Sequence, residues 1–417
     1  MLTLEGIQPD PHVHAPRTHP LYDWAIQSTN PPEGNQQADL CGGVAFSLQQ
    51  PVLRINASMA TARSYGTLGA NYNEKLVWIK HAELRRVNAK WIRGFIDMHL
   101  IDSHHPDQDP NIKALFRAID AGFNTILSLK WNYTNLDFPA PGSAELAAEL
   151  KVLAQLLPLV LGKVNILVIG NEPFIEAKLG QEDERLNNFY ETMARNVIEF
   201  RQKHDYAIMT RLYMGALNRL DLPFKRTPAI ERFLHFIAVT PELDGVDIHP
   251  HMMTFAGHQS MLEYCLARLR PEQTFLATEF TMVWHWKKHM NDTVSSKFCA
   301  KYGFTPSTKN YEIISAAMQN PWPLEQWQEY LSNEWWYMQF RGFISDAMKL
   351  YRSTGRLTVA TYSFCPMRMR KAPLRQDDTP WMLNGVYAPS TVRLAEDGSR
   401  YENFPWAEEF RQVQVGG

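Results

Sequence analysis

Eight short runs of apolar and β-branched residues recur along the chain, and each is about as long as a β-strand. Segments with the apolar spacing of helices lie between them. Such alternation predicts a parallel sheet with right-handed crossovers. Eight strands is also the number that closes a (β/α)₈ barrel. The predicted strands are 50–58, 89–97, 123–131, 164–172, 211–217, 244–251, 273–281 and 357–364.

A doubly wound open sheet is the rival architecture for this pattern. It would be expected to carry a glycine-rich phosphate loop after its first strand, and "RINASMATARSYG" is not such a loop. We therefore predict the α/β class. The expected fold is a (β/α)₈ TIM barrel with an N-terminal extension and a long insertion between strands 7 and 8.

Two regions fall outside the regular alternation. Residues 1–48 are rich in Pro, His and Asn and are predicted to pack on the barrel, which would span 49–417. The connection from Thr281 to Leu357 is much longer than the others. We expect an irregular piece at 285–320, as a lid or subsite loop, followed by one helix at 323–355.

Composition excludes several classes of protein. The chain has 417 residues, 45% of them hydrophobic, which is enough for one barrel or two domains. Its formal net charge of −2 does not suggest nucleic-acid binding, and no apolar run is long enough to predict a membrane span. The four cysteines form no CxxC pair, so no zinc or redox motif is predicted. No signal peptide is visible, although a chain from which one had been removed would look the same.

Polar residues at the predicted strand ends indicate where a site would form, because barrels of this kind build it at the C-terminal ends of the strands. Two carboxylates stand there: Glu172 at the end of strand 4 and Glu279 at the end of strand 7. These strands are three apart in a ring of eight, so their ends face one another across the mouth. The other strand-end residues are Arg54, Asn56, Arg93, Asp97, Lys130, Trp131, Asn171, Leu217, Asn218, His249, His251, Ser363 and Phe364.

Two opposed carboxyl groups are what cleavage of a glycosidic bond requires. One must be protonated to give a proton to the leaving oxygen, and the other must be ionised to attack the anomeric carbon or to activate water. A separation of about 5 Å allows direct attack with retention of configuration. A cation near Glu279 would keep it ionised, and Arg93 and His251 are possible neighbours.

The motifs "IGNEP" (169–173) and "ATEF" (277–280) resemble the retaining glycoside hydrolases of clan A, the superfamily of cellulases, mannanases and β-glycosidases. The resemblance covers roughly residues 50 to 414 and singles out no family within the clan. It implies that Glu172 is the acid/base and Glu279 the nucleophile. It also implies that Asn171 binds the sugar 2-hydroxyl, and that Arg93, in "WIRGF", is the strand-two arginine near the nucleophile.

The sequence departs from the clan's pattern at two strands. "DIHPH" resembles the strand-six His-Pro-Tyr pattern, but His251 stands where a tyrosine is common. Strand 8 ends "TYSFC" without the usual tryptophan, so either Phe364 or Trp381 in the following loop serves as the sugar platform, or no residue does. The predicted substrate-binding residues are Asn171, Arg93, His249, His251, Trp131, Trp284 and Trp381. We predict a carbohydrate as the partner and no cofactor or metal.

Other interpretations of these residues remain open. Glu172 could be a solvated loop acid with Asn171 as a helix cap, and Glu279 could be only the partner of a structural arginine. In "PDPHVHAP", Asp10, His12 and His14 resemble the metal-binding opening of amidohydrolase barrels, although prolines interrupt this stretch. A barrel that binds carbohydrate without cleaving it, or a transglycosylase with the same two acids, would have the same sequence features.

Overall fold

A computed structural model describes residues 66–102, 104–366 and 373–415. Its eight parallel strands pair in chain order and close into a barrel, as predicted. The strands are β1 (Thr67–Asn71), β2 (Trp91–Asp97), β3 (Asn124–Lys130), β4 (Ile166–Ile169), β5 (Arg211–Asn218), β6 (Gly245–His249), β7 (Thr274–Ala277) and β8 (Leu357–Ser363).

Helices follow the strands around the barrel in the part of the chain that the structure describes. Up to β7 they are α1 (His81–Arg86), α2 (Pro110–Asp120), α3 (Ala144–Val160), α4 (Glu184–Lys203), α5 (Pro228–Val239) and α6 (Phe255–Leu266). Beyond β7 they are α7 (Val283–Lys288), α8 (Ser296–Tyr302), α9 (Asn310–Gln319), α10 (Leu324–Asn333), α11 (Trp335–Met338), α12 (Phe343–Ser353) and α13 (Trp406–Val415).

The prediction of the first strand was wrong. Residues 67–71 pair with both β2 and β8 and close the barrel, whereas the predicted strand at 50–58 lies outside the described residues, together with Arg54 and Asn56. The segment "TLGAN" is weak in β-formers because Gly69 is required by close packing. A Cβ atom at this position would lie 2.7 Å from the Cβ of Trp91. The boundary at 48/49 stays a prediction.

Inward-facing residues of β2 show how the barrel carries its site. Trp91 joins a buried cluster with apolar and aromatic side chains from five other strands, including Ile126 and Tyr213. Because side chains alternate along a strand, Arg93 faces the same way, one layer nearer the C-terminal mouth. The packed lower layer thus supports a polar upper layer.

The long connection between β7 and β8 is present, but its internal structure differs from the prediction. The segment expected to be irregular contains α8 and α9, and the single helix expected at 323–355 is divided into α10, α11 and α12. Extended backbone at Glu334 ends α10, and Gly342, with φ of +107°, separates α11 from α12. Neither position interrupts the apolar spacing, so the pattern looked continuous. Among the described residues, no helix is both long and apolar enough to span a bilayer.

Candidate active site

The first carboxylate is placed by a sharp turn directly after β4. Gly170 has φ of +114°, and a Cβ there would collide with the carbonyl oxygen of Gly215. Glu172 itself has φ of +47°, in the left-handed region that a residue other than glycine adopts at a cost. Its carbonyl oxygen accepts the backbone N–H groups of Ile175 and Glu176, which holds the turn. The fold thus maintains a strained backbone to direct this acid.

The second carboxylate follows β7 and pairs with a buried cation. Arg93 Nη1 lies 2.6 Å from Glu279 Oε1, and the arginine side chain is fully buried. The other side of the same guanidinium donates to Asn171 Oδ1 at 2.5 Å. Its Nε donates to Ser128 and its Nη1 also reaches Asn71, both at 3.2 Å. Arg93 therefore fixes Glu279 and Asn171 relative to each other across the barrel.

Two histidines from the end of β6 lie between the carboxylates. His249 Nδ1 is 3.0 Å from Glu172 Oε1, and His249 Nε2 is 3.9 Å from Glu279 Oε1. His251 Nε2 lies 3.8 Å from Glu172 Oε1 and 3.6 Å from Glu279 Oε2. Both distances start from the same nitrogen, so Glu172 Oε1 and Glu279 Oε2 cannot be farther apart than the two distances added together. The structure brings together Glu172, Glu279 and the two histidines at one mouth of the barrel.

The hydrogen bonds of His249 locate one proton between the imidazole and Glu172. The hydroxyl of Thr278 donates to Asp247 Oδ2, so its oxygen accepts from His249 Nε2 at 2.9 Å. With a hydrogen fixed on Nε2, the 3.0 Å contact of Nδ1 with Glu172 needs one more proton, on either the imidazole or the carboxyl group. Glu172 and His249 therefore form a couple that shares one labile proton.

Neighbouring charges and hydrogen bonds lower the pKa of both carboxyl groups and raise the pKa of the His249 imidazole. Burial alone would raise the pKa of both carboxyl groups. For Glu279, the charges of His249, His251 and Arg93 outweigh burial and hold its pKa well below the usual range. For Glu172, the hydrogen bond and charge of His249 outweigh burial, and its pKa also falls below the ordinary value.

The mechanism expected from the sequence requires one acid to carry a proton, but the pKa of Glu172 is lowered and not raised. Burial lowers the pKa of His249, but the charge of Glu279 and the bond to Glu172 outweigh it and raise that pKa above its ordinary value. The shared proton accordingly rests mainly on the imidazole. Sequence reasoning placed His249 at the site but did not show that its Nδ1 lies 3.0 Å from Glu172.

The predicted tryptophans differ in their relation to this site. The half-buried Trp381 packs with its ring edge-on to His251, at 5.1 Å between ring centroids. Trp284, on α7, lies under the guanidinium of Arg219, which follows β5. Trp131 is fully buried, and its Nε1 donates to Glu149 of α3, so it offers no surface to a sugar.

Phe364 is not exposed at the site either. It is fully buried between Tyr72 and Tyr387. The platform expected at the end of β8 is therefore not formed by Phe364, and of the two candidates Trp381 is the one that contacts His251.

Sequence analysis missed part of the polar support. Asn71 was hidden by the misplaced first strand. Glu176 accepts from Asn171 Nδ2 at 3.1 Å and pairs with Lys130 at 2.7 Å, while burial raises its pKa to about 8. Asn218, recognised only as a strand end, donates to Glu172 Oε1 at 3.2 Å. The position of Glu176 four residues after Glu172 was the available signal.

One group of side chains has the composition of a metal site. Glu172, His249 and His251 each offer one ligand atom, and these atoms lie within 4.8 Å of one another. The segment with Asp10, His12 and His14, which raised the amidohydrolase alternative, lies outside the described residues.

The fold and the site together define a (β/α)₈ barrel with an opposed carboxylate pair at its C-terminal mouth. No protein-family model and no curated protein matches the chain in sequence. Solved structures with a similar fold include a GH113 β-1,4-mannanase, at 10% identity and a TM-score of 0.44 over 85% of this chain and 100% of that one. The GH53 catalytic domain of Ignisphaera aggregans has 12% identity and a TM-score of 0.46 over 85% and 97%. The catalytic domain of alkaline cellulase K has 11% identity and a TM-score of 0.45 over 84% and 87%.

Proposed function

We propose that this protein is a retaining glycoside hydrolase that cleaves a β-glycosidic bond, with Glu172 as acid/base and Glu279 as nucleophile. The observation that carries the proposal is the asymmetry of the carboxylate pair. Glu279 is bound by the cation of Arg93, whereas Glu172 shares a proton with His249. One acid is thus kept ionised and the other is supplied with a proton, which is the division of roles that double displacement needs.

In the first step, Glu279 attacks the anomeric carbon while the bond to the leaving oxygen breaks. Glu172 gives the shared proton to that oxygen, and His249 supplies it to the carboxyl group through their 3.0 Å contact. In the second step, Glu172 takes a proton from water, the water oxygen attacks the anomeric carbon, and Glu279 leaves. The proton thus returns to the Glu172–His249 couple, and no other acid is needed to restore the starting state of the enzyme.

The surrounding polar groups are suited to hold the sugar. Asn171 uses one amide hydrogen on Glu176, which leaves the other for a sugar hydroxyl, as the clan A resemblance implies for the 2-hydroxyl. The bond from Arg93 to Asn171 Oδ1 fixes which way the amide points. Trp381, beside His251, is the proposed stacking surface.

The experiment that tests this proposal is a panel of aryl β-glycosides assayed with the purified full chain. We expect release of the aryl alcohol from at least one of them. The first sugar product, followed by NMR before mutarotation, should have the β configuration. Glu184→Gln, which changes an exposed carboxylate at the start of α4, is the matched control and should act like the wild type. An α-configured first product would contradict the retaining mechanism. Transfer of the glycosyl group to an added alcohol would indicate the transglycosylase alternative.

We predict that the pH profile of kcat/KM is widened, with its acid limb at lower pH and its basic limb at higher pH than free side chains would give. The acid limb should lie below pH 4.5, the ordinary pKa of a glutamate, because Glu279 keeps its charge in acid. The basic limb should lie above pH 6.5, the ordinary pKa of a histidine, because the couple holds its proton more tightly than a free imidazole. Activity therefore persists between these values and falls as rising pH removes the shared proton.

The matched variant for this profile is Glu172→Gln, assayed with an aryl glycoside whose leaving group needs little protonation. The basic limb should disappear, because no acid remains to be titrated. If the wild-type basic limb lay near pH 5, the proton would not be held by the Glu172–His249 couple.

A further inference from the structure

His251 is a buried imidazole that lies between the two carboxylates. Its Nδ1 is buried and has no hydrogen-bond partner among the described residues, and the ring is only 5% exposed. Its Nε2 lies 3.8 Å from Glu172 Oε1 and 3.6 Å from Glu279 Oε2, within ion-pair distance of both carboxylates. The nitrogen that faces both acids is therefore Nε2, and a ligand placed between the acids would meet it.

The space in front of this ring is lined by ligands that suit one class of metal ion. Glu172 Oε1 is 3.0 Å from His249 Nδ1 and 3.8 Å from His251 Nε2. One ligand atom from each of the three residues lies within 4.8 Å of the other two. Ligand atoms of one tetrahedral zinc ion lie roughly 3 to 4 Å apart, since each is about 2 Å from the metal. Two imidazoles and one carboxylate favour Zn²⁺, Cu²⁺ or Ni²⁺ over Mg²⁺ or Ca²⁺.

The groups behind the ligands support this use of the site. His249 is oriented through its other nitrogen by Thr278, which in turn donates to Asp247, so Nδ1 is directed at the cluster. Such an outer partner is usual for a histidine that binds a metal.

We propose that Glu172, His249 and His251 bind a transition-metal ion such as Zn²⁺, and that this ion blocks the proposed active site. The ion would be bound by the carboxylate of Glu172 and would fill the space between the two acids. The anomeric centre of a glycoside must lie in that same space. Metal and substrate therefore exclude each other. The inhibition rests on the proposed function, whereas the binding itself does not.

Calorimetric titration of ZnCl₂ into the purified full chain tests the binding. We expect one saturable site per chain and no comparable heat with MgCl₂. Glu172→Gln keeps the shape of the side chain but removes the charged ligand, and His251→Phe removes an imidazole while retaining an aromatic ring. Each should weaken zinc binding about tenfold or more. The double variant H12Q/H14Q, which alters the other histidine pair with metal-like spacing, is the control and should bind zinc like the wild type.

The outcomes separate this inference from the proposed function. On an active enzyme, Zn²⁺ should raise the apparent KM for an aryl β-glycoside and leave kcat unchanged. Zinc binding without any glycosidase activity would remove the proposed function alone. Activity without saturable zinc binding would overturn the metal site alone. The site would also be overturned if Glu172→Gln bound zinc as tightly as the wild type, or if H12Q/H14Q abolished binding.

Discussion

Glu279→Gln should lower kcat on an aryl β-glycoside by roughly 10⁴-fold to 10⁶-fold, the scale of loss when an enzyme's nucleophile is removed. The amide has nearly the shape of the carboxylate but cannot form the glycosyl-enzyme. Because it also carries no charge, it does not neutralise Arg93, which remains bound to Asn171, Ser128 and Asn71. The measurement is steady-state turnover, with circular dichroism to show that the barrel has formed.

Glu176→Gln is the matched control for this variant. It changes another buried glutamate that belongs to the same network, through Asn171 and Lys130, but that is not bonded to Arg93. It should cost far less turnover than Glu279→Gln because no covalent step depends on it. Equal losses in the two variants would mean that Glu279 acts only as part of the polar network.

Arg93→Met should have the second-largest effect, on stability as well as on activity. The change leaves Glu279 without its cation and Asn171 Oδ1 without its 2.5 Å donor. Breaking a buried ion pair by removing one partner costs about 3–5 kcal/mol, so the free energy of unfolding measured in urea should fall by that order. The pKa of Glu279 should also rise toward its ordinary value, which moves the acid limb of kcat/KM to higher pH.

A double-mutant cycle identifies the origin of this loss. In R93M/E279Q no unpaired carboxylate remains, so the double variant should be more stable than Arg93→Met alone. Arg93→Lys keeps the charge but lacks the planar fork, so it should preserve the low acid limb while losing the contact with Asn171. Additive stability losses in the cycle would contradict a direct energetic link between Arg93 and Glu279.

The sequence was sufficient to predict the barrel and the positions of Glu172 and Glu279 at its mouth because both depend on local patterns. Strands β2 to β8 are apolar runs with clear ends, and Glu172 and Glu279 follow two of them directly. The C-terminal ends of barrel strands must meet at one mouth, so their proximity followed from topology. Arg93 could be placed by the same argument.

Other features depend on contacts between distant parts of the chain, which spacing does not show. The first strand was misplaced because Gly69 is selected by packing against Trp91 and not by strand propensity. Trp131 was expected at the mouth, but the bond of its indole to Glu149 places it against the helices. The proton shared with His249 depends on Thr278 and Asp247, whose hydrogen bonds no motif encodes.

The most direct test of the central claim is the anomeric configuration of azide adducts formed by two variants. Glu172→Ala should still form the glycosyl-enzyme from an activated aryl β-glycoside, and azide should then give the β-glycosyl azide with retained configuration. Glu279→Ala forms no covalent intermediate, so azide should enter directly and give the inverted α-glycosyl azide. The opposite pattern would exchange the two roles, and full activity in either variant without azide would contradict the participation of that residue.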